Sequence, residues 1–151
     1  MNDTVALITG AARGIGLATA ALFHAEGRRI VMLDRDTDEL TEAAATLPGA
    51  LAITCDVSSP QQVAQAIAEV EQTYGRLDIL VNNAGVADFG PLAETDFSRW
   101  RRVMDTNLDG VFLMSQACLA LLSIRGGAIV NIASISGLRA STLRIAYGTS
   151  K

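Results

Sequence analysis

The sequence has 151 residues, half of them hydrophobic, and a formal net charge of −4. Its length fits one domain, and its acidic balance does not favour binding to nucleic acid or to an anionic membrane surface. We expect a cytoplasmic protein, because the N-terminus lacks the basic region of a signal peptide and Cys55 and Cys118 lie in apolar stretches typical of buried thiols in a reducing compartment.

Short apolar runs rich in Val and Ile recur along the chain and alternate with helical patterns. The runs are 5–9, 29–33, 51–55, 78–82 and 128–133. Each run is apolar throughout, as expected of strands that are buried on both faces of a parallel sheet. No repeat or linker interrupts the pattern. It therefore predicts a single α/β domain over 1–151, with a doubly wound parallel sheet of the Rossmann type.

The helical segments have recognisable ends. Asp36 is a good N-cap with Glu39 at the third helical position, and Ser59 repeats this arrangement one helix later. Gly75 is placed to end that second helix. The longest helix is predicted at about 95–124, where apolar residues recur at helical spacing.

The sequence favours neither a membrane-spanning segment nor a metal site. The longest apolar stretch, 110–124, is interrupted by Ser115 and Gln116 and is too short to span a bilayer. The single histidine, His24, is expected on a helix surface, and no cluster of metal-ligating residues accompanies it. We therefore expect neither a membrane segment nor a metal site.

A glycine loop follows the first predicted strand. Gly10, Gly14 and Gly16 lie where this strand turns into the first helix. One glycine permits the tight turn, one lets the backbone approach a pyrophosphate, and one lets the helix pack closely on the sheet. The phosphates would meet free N–H groups and the positive end of the helix dipole. The loop predicts a dinucleotide site.

Asp34 ends the second predicted strand. A carboxylate there can accept hydrogen bonds from the adenosine ribose and would repel a 2′-phosphate, which favours NAD over NADP. Arg13 and Arg35 favour the opposite choice, because either can pair with a phosphate. We give Asp34 more weight, because a buried like-charge clash costs more than an exposed arginine gains. The alternative for Asp34 is a cap or turn residue, a position that Asp36 already fills.

Several other motifs follow the glycine loop in a fixed order. They are Asp56-Val57, Asn82-Asn83-Ala84-Gly85, Asn107, Ser134 and Tyr147-Gly-Thr-Ser-Lys151. Together with Thr-Gly-Ala-Ala-Arg-Gly-Ile-Gly at 9–16, they resemble the classical branch of the short-chain dehydrogenase/reductase family over the whole chain. The resemblance implies an NAD-dependent oxidoreductase that transfers a hydride between a secondary alcohol or ketone and a nicotinamide cofactor.

The resemblance also implies roles for individual residues. Asp56 matches an adenine contact, and Asn107 matches a residue that holds a water in a proton relay. The implied catalytic residues are Asn107, Ser134, Tyr147 and Lys151. The implied cofactor-binding residues are Gly10, Arg13, Gly14, Ile15, Gly16, Asp34, Asp56, Val57, Asn83, Ala84, Gly85, Tyr147 and Lys151. Candidates for the near side of a substrate pocket are Asp88, Phe89, Ser136 and Leu138.

The chemistry explains why these residue types are needed. Oxidation of an alcohol requires a base, and a free tyrosine has a pKa of about 10, too high for this task at neutral pH. Lys151 is four residues beyond Tyr147, on the same helical face, and its cation favours tyrosinate. Ser134 is placed to donate to the substrate oxygen. The alternatives are a strand-end cap for Ser134, a helix kink at Asn107 and a polar tail for 147–151.

Members of the family continue beyond the position of Lys151. We therefore expect a partial chain that lacks the C-terminal part of the fold, with 128–133 as an edge strand and 147–151 at the start of a helix. The resemblance further implies a homo-oligomer, either a dimer or a tetramer. The alternative function is a truncated dinucleotide-binding remnant without turnover.

Overall fold

A computed structural model describes residues 3–139 and 141–151. Its strands form one fully parallel sheet in the order β3-β2-β1-β4-β5. They are β1 (Val5–Thr9), β2 (Arg29–Asp34), β3 (Leu51–Thr54), β4 (Ile79–Asn82) and β5 (Ala128–Asn131). The predicted doubly wound α/β fold is confirmed, with strand ends that shift by one or two residues. The strand order reverses between β1 and β4, which opens a crevice at their carboxyl ends.

Helices connect the strands and cover both faces of the sheet. They are α1 (Gly14–Ala25), α2 (Thr37–Ala45), α3 (Pro60–Tyr74), α4 (Phe97–Met104), α5 (Gly110–Ser123) and α6 (Ile145–Thr149). The predicted caps are confirmed: Asp36 accepts from Glu39 N at 3.2 Å, and Ser59 accepts from Gln62 N at 3.4 Å. Gly75 ends α3 with a left-handed φ of 66°. Within the described part of the chain, no helix is long and apolar enough to cross a membrane.

The long helix predicted at 95–124 is divided. It begins after the N-cap Asp96, whose side chain accepts from Arg99 N, and a π-helical segment, Asp105–Asp109, separates α4 from α5. In this segment Gly110 N donates to Asp105 O, one residue further back than in an α-helix. The apolar spacing stays close to helical through the segment, so the sequence pattern shows no interruption.

Two apolar layers hold the sheet. Alternate residues of β1 face opposite sides, so Leu7 packs in the layer with α3 and α5, and Ile8 in the layer with α1 and α2. Both side chains are completely buried. The central strands therefore provide a rigid base for the loops at their carboxyl ends.

β5 lies at one edge of the sheet, as predicted. All four of its residues are exposed, including Ile129 at 40% and Val130 at 46%. α6 follows β5 and contains Tyr147, in agreement with the predicted start of a helix at 147–151. Ser134 thus follows the edge strand β5, whereas the glycine loop follows the central strand β1.

Candidate cofactor and active site

A cleft of about 280 Å³ lies at the carboxyl ends of the central strands. Most of the residues predicted to bind a cofactor line it: Gly10, Arg13, Ile15, Asp34, Asp56, Val57, Asn83, Ala84 and Gly85. Further lining residues are Arg35, Cys55, Val86 and Thr106. The predicted residues outside the lining are Gly14, Gly16, Tyr147 and Lys151. Gly14 and Gly16 lie at the start of α1, whereas Tyr147 and Lys151 form a second group at α6.

The glycine loop has two positions that a side chain could not occupy. Gly10 has a φ of 63°, and a Cβ there would lie 2.8 Å from the Cα of Ala84. A Cβ on Gly16 would lie 2.1 Å from Gly10 O and 2.6 Å from Asn83 Nδ2. Gly14 has a φ of 57° but faces open space. Gly10 and Gly16 thus permit close packing of the loop, and Gly14 leaves the approach to the helix free.

The N-terminus of α1 suits a phosphate. Asp36, Ser59 and Asp96 cap the following helices with their side chains, whereas α1 has no side-chain cap within the described ranges. Its first turn also contains no acidic residue. The first N–H groups of a helix lack intrahelical acceptors and carry partial positive charge. The loop and helix end therefore fit the pyrophosphate of a dinucleotide.

Asp34 joins the cleft to the glycine loop. Its Oδ2 accepts from Ala12 N at 3.1 Å, and its Oδ1 accepts from Asp36 N at 3.2 Å. The carboxylate is half-buried, lines the cleft and has lone pairs that these two bonds do not use. Asp34 therefore has a structural role in the turn and can still accept further hydrogen bonds.

The two arginines considered for a 2′-phosphate differ in their contacts. Arg13 forms an ion pair with Glu39 of α2. Arg35 is exposed and lines the cleft, and the described residues offer it no ion pair. Of the two arginines, only Arg35 is therefore without a competing carboxylate.

Asp56 and Val57 lie on the loop after β3. Asp56 Oδ1 accepts from Ser58 N at 2.9 Å and from Ser58 Oγ at 2.6 Å, which orders the turn. Val57 is buried, and a Cβ on Gly110 would lie 2.8 Å from Val57 Cγ2. The loop is therefore seated on the start of α5, with the Asp56 side chain at the cleft.

Thr9 holds the loop after β4, a role that was not predicted. Its buried Oγ1 accepts from Asn83 N at 3.0 Å and from Ala84 N at 2.9 Å. Asn83 Nδ2 in turn donates to Thr9 O at 2.9 Å and to Gly10 O at 3.1 Å. Together these contacts fasten the 83–85 segment to the glycine loop. The only sequence signal was the position of Thr9 directly before Gly10.

Asn107 lies in the π-helical segment and is 97% buried, with 3% of its surface exposed. Its Oδ1 accepts from Val86 N at 2.8 Å, and its Nδ2 donates to Val86 O at 2.9 Å and to Ser150 Oγ at 2.9 Å. The amide thus joins the loop after β4 to the end of α6. Ser150 and Val86 were not predicted as partners, because no local pattern relates them to Asn107.

Ser134 follows β5 and is half-buried. Its Oγ accepts from Ser136 N at 3.2 Å and so caps the short 3₁₀ turn Ile135–Gly137. Ser134 is therefore a cap, as the alternative interpretation predicted, through the lone pair of its hydroxyl oxygen. The hydroxyl hydrogen has no acceptor among the described residues, which leaves it able to donate to a ligand. Ser136 itself is buried against Ser141, at 3.1 Å between the two Oγ atoms.

Lys151 lies close to Tyr147. Its Nζ is 5.8 Å from the centroid of the Tyr147 ring and donates to Ile132 O at 3.0 Å. Burial lowers the pKa of the Lys151 ammonium. A Cβ on Gly85 would lie 3.4 Å from Lys151 Nζ. Lys151 therefore lies next to Gly85, a residue of the cleft.

The two cysteines and the single histidine lie outside the candidate catalytic group. Burial raises the pKa of Cys55 to about 11 and that of Cys118 to about 12, so both thiols stay protonated at neutral pH. His24 Nε2 lies 2.9 Å from Pro48 O, close to the surface. Across the described residues, no group of three or more His, Cys, Asp and Glu side chains is arranged to hold a metal ion.

A parallel sheet with a glycine loop after its central strand and a cleft at its switch point is the architecture of dinucleotide-binding Rossmann domains. The family model described as short chain dehydrogenase matches residues 4–151. The chain belongs to this short-chain dehydrogenase family.

Named relatives agree with this assignment. Galactitol 2-dehydrogenase of Agrobacterium fabrum is 40% identical over 100% of this chain and 60% of its own length. Meso-2,3-butanediol dehydrogenase of Serratia marcescens is 41% identical over 91% of this chain and 55% of its own length. NAD-dependent glycerol dehydrogenase of Listeria innocua is 37% identical over 100% of this chain and 60% of its own length. The chain spans 55–60% of the length of these relatives.

Proposed function

We propose that this chain carries the cofactor site and the proton-transfer residues of an NAD-dependent oxidoreductase acting on a secondary alcohol or ketone. One observation carries the proposal. The only lysine of the sequence, Lys151, lies half-buried beside Tyr147, and a Cβ on Gly85 of the cleft would lie 3.4 Å from its Nζ. A tyrosine base, a cation and a dinucleotide cleft thus meet at one edge of the sheet.

In the proposed alcohol oxidation, Tyr147, Lys151 and Ser134 have separate roles. When bound, the nicotinamide ring accepts the hydride from the carbinol carbon, and Tyr147 takes the hydroxyl proton. Lys151 has three donor hydrogens, of which one serves Ile132 O, so the others can reach the tyrosine oxygen or a ribose hydroxyl. Ser134 donates its free hydrogen to the substrate oxygen. In ketone reduction, the same proton returns from Tyr147 to the oxygen.

Asn107 supports this arrangement mainly by position. Its amide is engaged with Val86 and Ser150, and one lone pair of its Oδ1 would remain for a relay water. In the same proposal, Gly10, Gly14 and Gly16 accommodate the pyrophosphate. Asp56 and Val57 meet the adenine, and Asn83, Ala84 and Gly85 meet its ribose.

We infer NAD rather than NADP as the cofactor. Asp34 presents a carboxylate at the ribose end of the cleft, and Glu39 neutralises Arg13. The glycerol dehydrogenase relative is named NAD-dependent, which supports the same choice. The 2′-phosphate of NADP would be repelled by the Asp34 carboxylate, and only Arg35 would offer it a compensating positive charge.

The proposal extends to assembly and location. Leu108, Phe112 and Leu119 share one face of the long helix and are 53–61% exposed, which supports a homodimer or tetramer. The free cysteines Cys55 and Cys118 support a reducing compartment, the cytoplasm.

Turnover and binding together test the function. The full polypeptide is mixed with NAD and a panel of polyols, vicinal diols, hydroxy acids and hydroxysteroids, and nicotinamide absorbance is followed. Tyr147→Phe should lower turnover at least about 100-fold while NAD affinity stays within about twofold, because only the ionisable oxygen is lost. Tyr74→Phe, at the other tyrosine, is the matched control and should leave turnover unchanged.

Two results would contradict the proposal. Near-normal turnover of the Tyr147→Phe protein would exclude this tyrosine as the base. Tight NAD binding without turnover of any substrate class would favour the alternative, a dinucleotide-binding remnant.

A further inference from the structure

An arginine–carboxylate cluster fixes the loop between β4 and α4. Asp88 accepts from Arg99 Nε at 3.1 Å, from Arg99 Nη2, and from Arg102 Nη2 at 2.6 Å. Only 7% of the Asp88 side chain is exposed. The expectation that Asp88 lines the near side of a substrate pocket is therefore not supported, because its carboxylate is directed at the two arginines of α4.

Arg99 also holds the backbone of this loop. Its Nη1 donates to Glu94 O at 2.9 Å, and its Nη2 donates to Phe89 O at 3.1 Å. A Cβ on Gly90 would lie 3.2 Å from Arg99 Nη2, so the backbone passes directly over the guanidinium. The rigid fork of an arginine is suited to such multiple contacts. Within the described ranges, the Arg102 side chain bonds only to Asp88 and not to the loop backbone, and it is 58% exposed.

The loop in turn holds the segment that leads into α6. Gly90 N donates to Leu143 O at 3.0 Å, and Gly90 pairs with Arg144 in an isolated parallel bridge. The Arg144 guanidinium lies 4.9 Å from the centroid of the Phe89 ring. Leu143 has a φ of 59°, a conformation that costs a non-glycine residue about 1–3 kcal/mol and persists only when its surroundings hold it.

α6 depends on such contacts. Its N-cap, Arg144, makes no side-chain capping bond within the described ranges, so the start of the helix is held by other contacts of the preceding segment. Gly148 N donates to Arg144 O at 2.7 Å, so the first turn of α6 is built directly on the bridged residue.

We propose that Asp88 and Arg99 are positioning residues that set the place of α6, and with it Tyr147, through the bridge between Gly90 and Arg144. The catalytic part of this proposal rests on the function proposed above for Tyr147. The structural part stands on the contacts alone: Asp88 orients Arg99, Arg99 holds Phe89 and Gly90, and these hold Leu143 and Arg144.

Hydrogen exchange tests the structural part without requiring turnover. In the full polypeptide, Asp88→Asn and Arg99→Gln should each raise amide exchange at Gly90 and in 145–150 by about tenfold or more, because a buried charge-assisted bond is lost. Arg99→Lys should raise it as well, since an ammonium has three donors and no planar fork and so cannot replace the four hydrogen bonds of Arg99 to Asp88 and the two carbonyls. Arg101→Gln is the matched control. It makes the same charge change on the same helix, but Arg101 pairs with Asp105 and Asp109.

The catalytic part is tested by separating kcat from KM. Asp88→Asn and Arg99→Gln should lower kcat about 10- to 100-fold, because a displacement of about 1 Å at the base is costly, while the KM for NAD changes less than about threefold. Arg101→Gln should change neither constant.

The outcomes are distinct. Unchanged exchange in 145–150, an equal rise in Arg101→Gln, or an equal rise in α3 (Pro60–Tyr74) would overturn the structural proposal, the last because it indicates global destabilisation. Raised exchange with unchanged kcat would overturn the positioning role. If the unmodified protein shows no turnover, the proposed function fails, whereas the exchange result still decides whether the Asp88 cluster holds α6.

Discussion

Replacement of Thr9 by valine should separate the loop after β4 from the glycine loop. Valine keeps the branched shape of threonine in a site that is 99% buried, with 1% exposed. It removes the acceptor shared by Asn83 N at 3.0 Å and Ala84 N at 2.9 Å. The third contact, from Thr9 Oγ1 to Val81 O at 3.4 Å, is too long to add much.

The expected loss of stability comes from the two backbone N–H groups that no longer have an acceptor. A buried donor without a partner costs about 1–3 kcal/mol. Asn83 and Ala84 are half-buried, so about 1–2 kcal/mol applies to each, or about 2–4 kcal/mol in total. With a urea m-value of about 2 kcal/mol/M, the unfolding midpoint should fall by about 1–2 M.

Urea unfolding followed by circular dichroism measures this shift. Thr19→Val is the matched control, because Thr19 Oγ1 only donates to Ile15 O of its own helix, and its loss should change stability by about 0.5 kcal/mol or less. A Thr9→Val midpoint within error of the Thr19→Val midpoint would refute the reasoning. It would show that water takes the place of the hydroxyl and that Thr9 does not hold the loop.

Two further predictions concern charge. Asp34→Ala should narrow the preference for NADH over NADPH, because the carboxylate no longer opposes a 2′-phosphate and Arg35 can pair with that phosphate. Fluorescence titration with each cofactor measures the preference. Asp38→Ala, at an exposed position on α2, makes the same charge change and should leave the preference unchanged. The second prediction follows from Lys151, whose pKa is lowered by burial from 10.5. Between the lowered pKa and 10.5 the unfolded chain binds more protons, so stability should rise as the pH rises through this window. Lys151→Met should lose that rise in urea midpoints measured from neutral pH upward, and an identical pH dependence in both proteins would exclude the explanation.

The sheet could be predicted from local patterns because its central strands are buried on both faces. Val5–Thr9 and its neighbours read as continuous apolar runs, and Asp36, Ser59 and Gly75 mark helix ends by short-range chemistry. The π-helical segment 105–109 could not be predicted. It adds one residue to a turn without a proline and without a break in the apolar spacing.

The contacts within the candidate site join residues that are far apart in the sequence, so local patterns do not predict them. The position of Gly10 in the motif predicts a turn, but its close approach to Ala84 joins residues from separate strands. The pairing of Asp88 with Arg99 likewise depends on how the loop folds over α4, and a carboxylate in a loop gives no sign of its partner. Single-sequence patterns report local geometry, so the long-range polar partners of the predicted site residues could not be detected from them.

Asn107 lies between the two halves of the candidate site. The cleft is built on the buried strands β1 and β4, whereas Tyr147 lies on α6, which follows β5 in the chain. Asn107 contacts both halves, through Val86 on one side and Ser150 on the other. Because an amide donates twice and accepts, it can bridge a backbone N–H, a carbonyl and a hydroxyl at once, which aspartate or leucine of similar size cannot do. The residue that the family resemblance assigns to a water relay therefore also joins α6, which contains Tyr147, to the loop of the cleft.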